Sequence, residues 1–219
     1  MKDDSLFYNL RKPPHTVSIA WADEEVVSGV DNICPKFGDE HFLGNLRGGD
    51  IAIILPSSNV KDFTWTWYSE LLVTDNVLQI FQDAKLTGFK TRQVTVSKVK
   101  RKGNKPVPKL WEIVVTGNGG EADPACGVAL RYKCDYCKYR VYSPYQDNGI
   151  IVDPNNWNGT DFFTVNAYPK YILVTEKVKE VVEKNKLKGC VFIPSTKISH
   201  TDFVKNFFKN MDIKIIGRE

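Results

Sequence analysis

Cys134-Asp135-Tyr136-Cys137 is the spacing with the clearest chemical capacity in this 219-residue chain. Two thiolates on a tight turn can take one face of a tetrahedral ion, and two more ligands must then come from elsewhere. The nearest complement is Cys34-Pro35-Lys36-Phe37-Gly38, which reads as a Cys-Pro-x-Cys-Gly knuckle with Phe37 where its second cysteine would stand. In the other pair, Lys138 stands where a knuckle carries glycine. A zinc site on Cys34, Cys134 and Cys137 needs a fourth ligand, and Cys126 and His41 are the candidates. The competing reading makes Cys34 and Cys126 small buried residues and Cys134/Cys137 the remnant of a lost site. Cys190 reads as core. A redox CxxC needs a helix N-terminus to lower its thiol pKa, and the strand-like Tyr139-Arg140-Val141-Tyr142 argues against one.

Other chemistry finds little support. His15, His41 and His200 are the only histidines, and none belongs to a recognisable catalytic pattern. Asp39 and Glu40 beside His41 form an acid–base cluster on paper, but a solvated loop explains them as well. There is no phosphate loop, nucleophile elbow or HExxH. The sequence therefore predicts a protein that is not an enzyme and requires no cofactor, zinc being the one compatible with its cysteines.

The elements that must position these residues follow a repeat. Leu72-Val73-Thr74-Asp75-Asn76-Val77, closing on Lys85-Leu86-Thr87-Gly88, returns 101 residues later as Leu173-Val174-Thr175-Glu176-Lys177-Val178, closing on Lys186-Leu187-Lys188-Gly189. Thr74 and Thr175 are predicted N-caps, with a hydroxyl for the orphan N–H groups and an acid next in line for the helix dipole. Val77, Phe81 and Ala84, like Val178, Val181 and Val182, fall at helical spacing. Gly88 and Gly189 are predicted at the left-handed position after the helix. A β-rich run follows each copy, over Phe89 to Val99 and Cys190 to Ile198. An aromatic lead-in precedes each, at Asp62-Phe63-Thr64-Trp65 and Asp161-Phe162-Phe163-Thr164. The repeat reads as a packing unit, since no nucleophile or metal ligand recurs in it.

Elsewhere, strands are predicted near Phe7-Tyr8, over Val17–Trp21, at Ile51–Leu55 and Leu110–Val115, and on both sides of the CxxC. Residues 22–50 read as loop, Gly117-Asn118-Gly119-Gly120 as a turn, and Thr201 to Met211 as a C-terminal helix. Lys98, Lys100, Arg101, Lys102, Lys105 and Lys109 give a basic hairpin around Gly103-Asn104. No aromatic lies inside that run to stack bases, which argues against nucleic acid. The net charge of +4 is modest, and five cysteines in a chain with no signal-peptide pattern argue against a disulfide framework. No apolar run reaches membrane-spanning length, so a cytoplasmic location is expected.

A degraded knuckle, an "LVT" helix, a strand with a basic hairpin, a second knuckle, a "DFF" stretch and an "LVTEKV" helix follow in that order over residues 30 to 198. This order resembles the double-CXXCG motif family, which includes immunity partners of contact-delivered bacterial toxins of the swarming-inhibition type. Phe37 and Lys138 depart from that pattern. The resemblance implies a cytoplasmic, non-enzymatic immunity protein that neutralises a cognate toxin domain by charge and shape complementarity. Candidate contact residues are Lys98, Lys100, Arg101, Lys102 and Lys105, the acidic pair Asp39 and Glu40, and the aromatics Trp65, Trp67 and Trp157. One rival is a zinc-ribbon-like nucleic-acid-binding module on Cys134, Cys137 and the basic run; another is a toxin-like enzyme with an unrecognised site. The expected architecture is α+β, mostly antiparallel sheet. Two pseudo-duplicated helix–strand halves, 1–100 with a helix over 74–87 and 101–219 with the CxxC hairpin and a helix over 175–188, would form one compact two-lobed domain.

Overall fold

The computed structural model describes residues 6–14, 20–22, 34–38, 50–67, 69–104 and 106–199. Residues 17–19 of the predicted Val17–Trp21 strand, the C-terminal helix predicted over Thr201 to Met211, all three histidines, Asp39, Glu40 and Lys105 lie outside the described residues. The elements run β1 (Phe7–Arg11), β2 (Trp21–Ala22), β3 (Ile51–Leu55), β4 (Phe63–Trp65), β5 (Leu71–Thr74), α1 (Asp75–Asp83), β6 (Phe89–Val99) and β7 (Leu110–Val115). They continue as β8 (Gly117–Asn118), β9 (Leu130–Lys133), β10 (Arg140–Tyr142), β11 (Phe162–Val165), β12 (Tyr168–Thr175), α2 (Glu176–Lys184) and β13 (Val191–Pro194). The fold is α+β and dominated by sheet. Among the described residues no helix is long and apolar enough to cross a membrane.

One sheet has the order β2-β3-β6-β7-β5-β4, a second β13-β1-β12-β11-β8, and β9 and β10 form a separate ribbon. Pairing is antiparallel except for β3 with β6 and β8 with β11. Gly117-Asn118 is thus a strand rather than the expected turn. An added Cβ at Gly117 would sit 2.0 Å from the Phe162 carbonyl oxygen, so only glycine lets the two chains lie side by side.

The registers agree across the repeat. Val73 faces Trp111 and Leu72 faces Glu112 on β5 and β7. At the same offset of 101, Val174 faces Tyr8 and Leu173 faces Asn9 on β12 and β1. Thr91 faces Ile113 across β6 and β7, and Phe192 faces Leu10 across β13 and β1. The N-terminal strand β1 therefore holds, beside β12, the place that β7 holds beside β5.

Both faces of these strands are covered, which explains the continuous apolar runs. Val73 and Val174 point into one shared core with Val77 and Phe81 of α1 and Val178 and Val182 of α2. Leu72 points into a second cluster with Ile51, Ile53 and Leu110. Leu173 points into a third with Phe7, Phe163 and Val165. A slip of one residue would exchange these faces, so burial fixes the register.

The helix ends differ from expectation in an instructive way. Thr74 and Thr175 occupy the N-cap positions in extended conformation, yet neither side chain caps its helix. The Thr175 hydroxyl donates to Asp161 Oδ1 at 3.1 Å instead. The residues directly after the helix caps are the left-handed Lys85 (φ 52°) and Lys186 (φ 53°), and the glycines, whose φ is positive as expected (88° at Gly88, 105° at Gly189), lie three residues further on. Both helices end earlier than the sequence suggests, at Asp83 and Lys184. Gly88 and Gly189 serve a different need. An added Cβ would lie 2.0 Å from the Phe162 carbonyl oxygen at Gly88 and 2.2 Å from the Phe63 carbonyl oxygen at Gly189.

Those contacts are crossed between the two units. Thr87 N–H donates to Asp161 Oδ2 at 2.8 Å and Phe162 N–H to the Thr87 carbonyl at 3.0 Å. Reciprocally, Lys188 N–H donates to Asp62 Oδ2 at 2.8 Å and Phe63 N–H to the Lys188 carbonyl at 3.0 Å. Asp161 is buried, and it also accepts from the Thr87 hydroxyl. Gly88→Ala and Gly189→Ala should each lower the unfolding free energy by about 2 kcal/mol or more in urea titrations, from backbone collision and left-handed strain together. Gly159→Ala, where φ is also positive but nothing lies within 4 Å of an added Cβ, should cost only about 1 kcal/mol.

Candidate metal centre

The two knuckles share one backbone turn. Gly38 N–H donates to the Cys34 carbonyl at 2.9 Å, and Lys138 N–H to the Cys134 carbonyl at 3.0 Å. Gly38 (φ 55°) and Lys138 (φ 62°) are both left-handed, so Lys138 holds the glycine conformation without being glycine. Phe37 consequently stands where Cys137 stands in the other turn, and its N–H donates to Cys34 Sγ at 3.4 Å. The knuckles meet. The sulfurs of Cys34, Cys134 and Cys137 all lie within 4.8 Å of one another, and among the described residues no histidine, carboxylate or further cysteine joins them. Cys34 and Cys134 are buried and Cys137 is partly exposed. Burial raises the Cys137 thiol pKa, and its contacts with Cys34 and Cys134 add to the shift. The five cysteines form no disulfide.

Cys126, a candidate fourth ligand, is elsewhere. It is fully buried, and its sulfur accepts from Ile151 N–H at 3.0 Å. Burial raises its pKa. Cys190 packs against the shared core as predicted, and burial pushes its thiol up to about 12. The donor set fits a thiophilic ion and not a hard cation such as Ca²⁺ or Mg²⁺, which takes oxygen ligands.

The second knuckle caps the β9–β10 ribbon, where Tyr132 pairs with Val141. All four residues of β9 are exposed. Leu130, Tyr132 and Val141 keep 43%, 41% and 40% of their surface, and Tyr136 in the knuckle keeps 58%. The ribbon is tied to the body through Glu121. Its carboxylate accepts from the Tyr142 hydroxyl at 2.7 Å and from Asn166 Nδ2 at 2.9 Å, and pairs with Arg140 Nε at 3.4 Å. Lys36 reaches across, 4.9 Å from the centre of the Tyr136 ring.

The other predicted contact residues are scattered. Lys98, Lys100, Arg101 and Lys102 are exposed, but Lys100 lies 4.0 Å over the Trp21 ring. The stretch after β6 is less a free hairpin than a tethered loop. Ser58 N–H donates to the Arg101 carbonyl at 3.1 Å, and Gly103 N–H to Ser58 Oγ at 2.6 Å. Of the three tryptophans, only Trp67 is exposed. Trp65 is buried and donates through Nε1 to the Gly189 carbonyl, and Trp157 is half-buried and donates to the Thr160 carbonyl.

Two polar arrangements escaped sequence reasoning. Asp75, just after the first cap, accepts from Trp111 Nε1 at 2.7 Å, and Lys109 lies 4.2 Å over that ring. Glu176, just after the second, binds Lys179 at 2.8 Å, and Lys179 lies 4.4 Å over Tyr8. The hydrogen bond to Glu176 is the main cause raising the Tyr8 pKa. The signal was the shared acid at Asp75 and Glu176; its aromatic partners come from strands far away in sequence.

No family model matches the chain, and no curated protein matches it. In native protein treated with a maleimide at pH 8, the fully buried Cys126 should stay unmodified until global unfolding while the partly exposed Cys137 is labelled first, read by peptide mass spectrometry. Labelling of Cys126 in the folded chain would contradict the burial described above.

Proposed function

We propose that the chain is a non-enzymatic, cytoplasmic immunity protein that neutralises a cognate toxin domain by binding it. The observation that carries this reading is the apolar, aromatic face of the β9–β10 ribbon. Leu130, Tyr132, Tyr136 and Val141 lie on an arm whose strands are held by polar ties at the base and a cysteine cluster at the tip. Exposed tyrosine and aliphatic surface rimmed by charge is the chemistry of interface anchors. The order of knuckles and repeat helices, similar to that of the double-CXXCG family, supports the same reading. The crossed contacts and matching registers support treating the two helix–strand units as related halves, one scaffold used twice.

Co-expression with the toxin-like product of an adjacent reading frame should rescue growth and give a complex by size exclusion. Tyr132→Ala combined with Tyr136→Ala should weaken that complex about 10- to 1,000-fold, the scale of losing anchors worth about 1–4 kcal/mol. Rescue with no complex, or a complex indifferent to both tyrosines, would remove the ribbon from the interface.

A second reading is favoured by one observation: exposed Arg131, Lys133 and Lys138 alternate with exposed Tyr132 and Tyr136 on the same ribbon. Cations beside stacking faces suit single-stranded nucleic acid. That reading predicts binding to single-stranded oligonucleotides that weakens steeply with salt, in fluorescence titrations from low to physiological ionic strength. Binding absent at low salt eliminates it.

A further inference from the structure

We propose that Cys34, Cys134 and Cys137 bind a divalent cation of the zinc class through three thiolates and that its fourth position, for which the described residues supply no ligand, takes an exchangeable donor from outside the chain. The site is built from two matched turns rather than from cysteines that happen to be near one another. Each turn closes with a backbone hydrogen bond onto its first cysteine, at 2.9 and 3.0 Å, and each ends on a left-handed residue. The three sulfurs lie within 4.8 Å of one another. Around a tetrahedral zinc with bonds of about 2.3 Å, sulfurs stand about 3.8 Å apart. A contraction of about 1 Å or less at each edge therefore closes the triangle on an ion.

The fourth corner is where the two turns differ. Cys137 supplies a sulfur from its turn, while the matching position of the other turn is Phe37, whose ring has no lone pair to give. The Phe37 N–H instead points at Cys34 Sγ, 3.4 Å away. Cys137 is the partly exposed member of the three, and the neighbouring Tyr136 is the most exposed aromatic of the knuckle. Solvent thus reaches the cluster from the Cys137 side. Three thiolates and a dication leave one net negative charge, and Lys36 and Lys138 lie within the two turns to offset it. A closed four-ligand site is inert, whereas three protein ligands with one open position accept an exchangeable fourth. The donors that suit such an ion are a thiolate or an imidazole. This inference does not depend on the immunity reading.

The test uses the full, reduced, metal-free chain titrated with cobalt(II) as the probe. One equivalent should give thiolate-to-cobalt charge-transfer absorption together with the visible bands of a tetrahedral ion. Imidazole added to the loaded protein should shift the visible bands. Cys34→Ser and Cys134→Ser should each lower cobalt affinity by about tenfold or more. Phe37→Cys should supply a fourth thiolate, raise affinity, and make the spectrum insensitive to imidazole. Absence of charge-transfer absorption at one equivalent overturns the proposal, as does affinity unchanged by Cys34→Ser. A native spectrum indifferent to imidazole overturns it too, because a fourth protein donor then already closes the site. If Phe37→Cys does not fold, the imidazole arm on the native chain decides alone.

Discussion

Each repeat helix is followed by a loop that fastens to a strand of the other unit, β11 for the first helix and β4 for the second, and this crossed attachment is the constraint on which the rest depends. Asp161 and Asp62 present carboxylates to the backbone N–H groups of Thr87 and Lys188. Phe162 and Phe63 donate back from the next residue along. A carboxylate accepting backbone N–H bonds in a partly buried setting makes a charge-assisted hydrogen bond, stronger than a neutral one. Neither unit can complete its own loop without the partner strand, and the phenylalanines after the two aspartates drive into the core that both helices share. Side-chain packing and backbone bonding therefore demand the same arrangement, which is how a sequence selects one structure among many.

Outside that lattice the molecule is asymmetric. The first unit carries β2 and β3 against β6, while the second carries the small β8 strand and the segment that leads through the β9–β10 ribbon. A two-stranded ribbon with an exposed strand has little core of its own and is marginal unaided. Here Glu121 holds its base, and its tip meets a turn about a hundred residues earlier through three sulfurs. The repeated parts of the chain are scaffold, and the inserted parts are where the exposed aromatic side chains gather.

Much of the scaffold was legible because its signals are local. The threonines that mark where each helix starts, the apolar helix faces and the β-rich run Phe89–Val99 specify helix and strand without reference to the rest of the chain. The knuckles were legible through cysteine spacing, and the structure joins the same three sulfurs that the sequence singled out. What could not be read came from long-range partners. Threonine at an N-cap predicts a cap until an aspartate such as Asp161 competes for its hydroxyl. A glycine after a helix predicts a left-handed cap, and nothing local reveals that a carbonyl from the other unit will occupy the space of its missing Cβ. The tryptophans misled for a similar reason. Trp65 looks like any aromatic in an exposed lead-in until the Gly189 carbonyl is known to receive its indole N–H.

The position of β1 has a further consequence, for the order in which the molecule forms. Phe7–Arg11 is an interior strand of its sheet, yet both its neighbours, β12 and β13, come more than 150 residues later in sequence. During synthesis it emerges well ahead of Tyr168–Thr175 and Val191–Pro194 and stays unpaired until they follow. The first sheet, by contrast, draws β3 to β7 from one contiguous stretch and can assemble as that stretch emerges. Formation is thus vectorial, with an early half built on near-neighbour pairings and a late half that depends on a strand kept in reserve. Pairings so distant in sequence are slow to form. While it waits, the apolar Phe7-Tyr8-Asn9-Leu10 segment is open to the misassembly that threatens any unpaired strand.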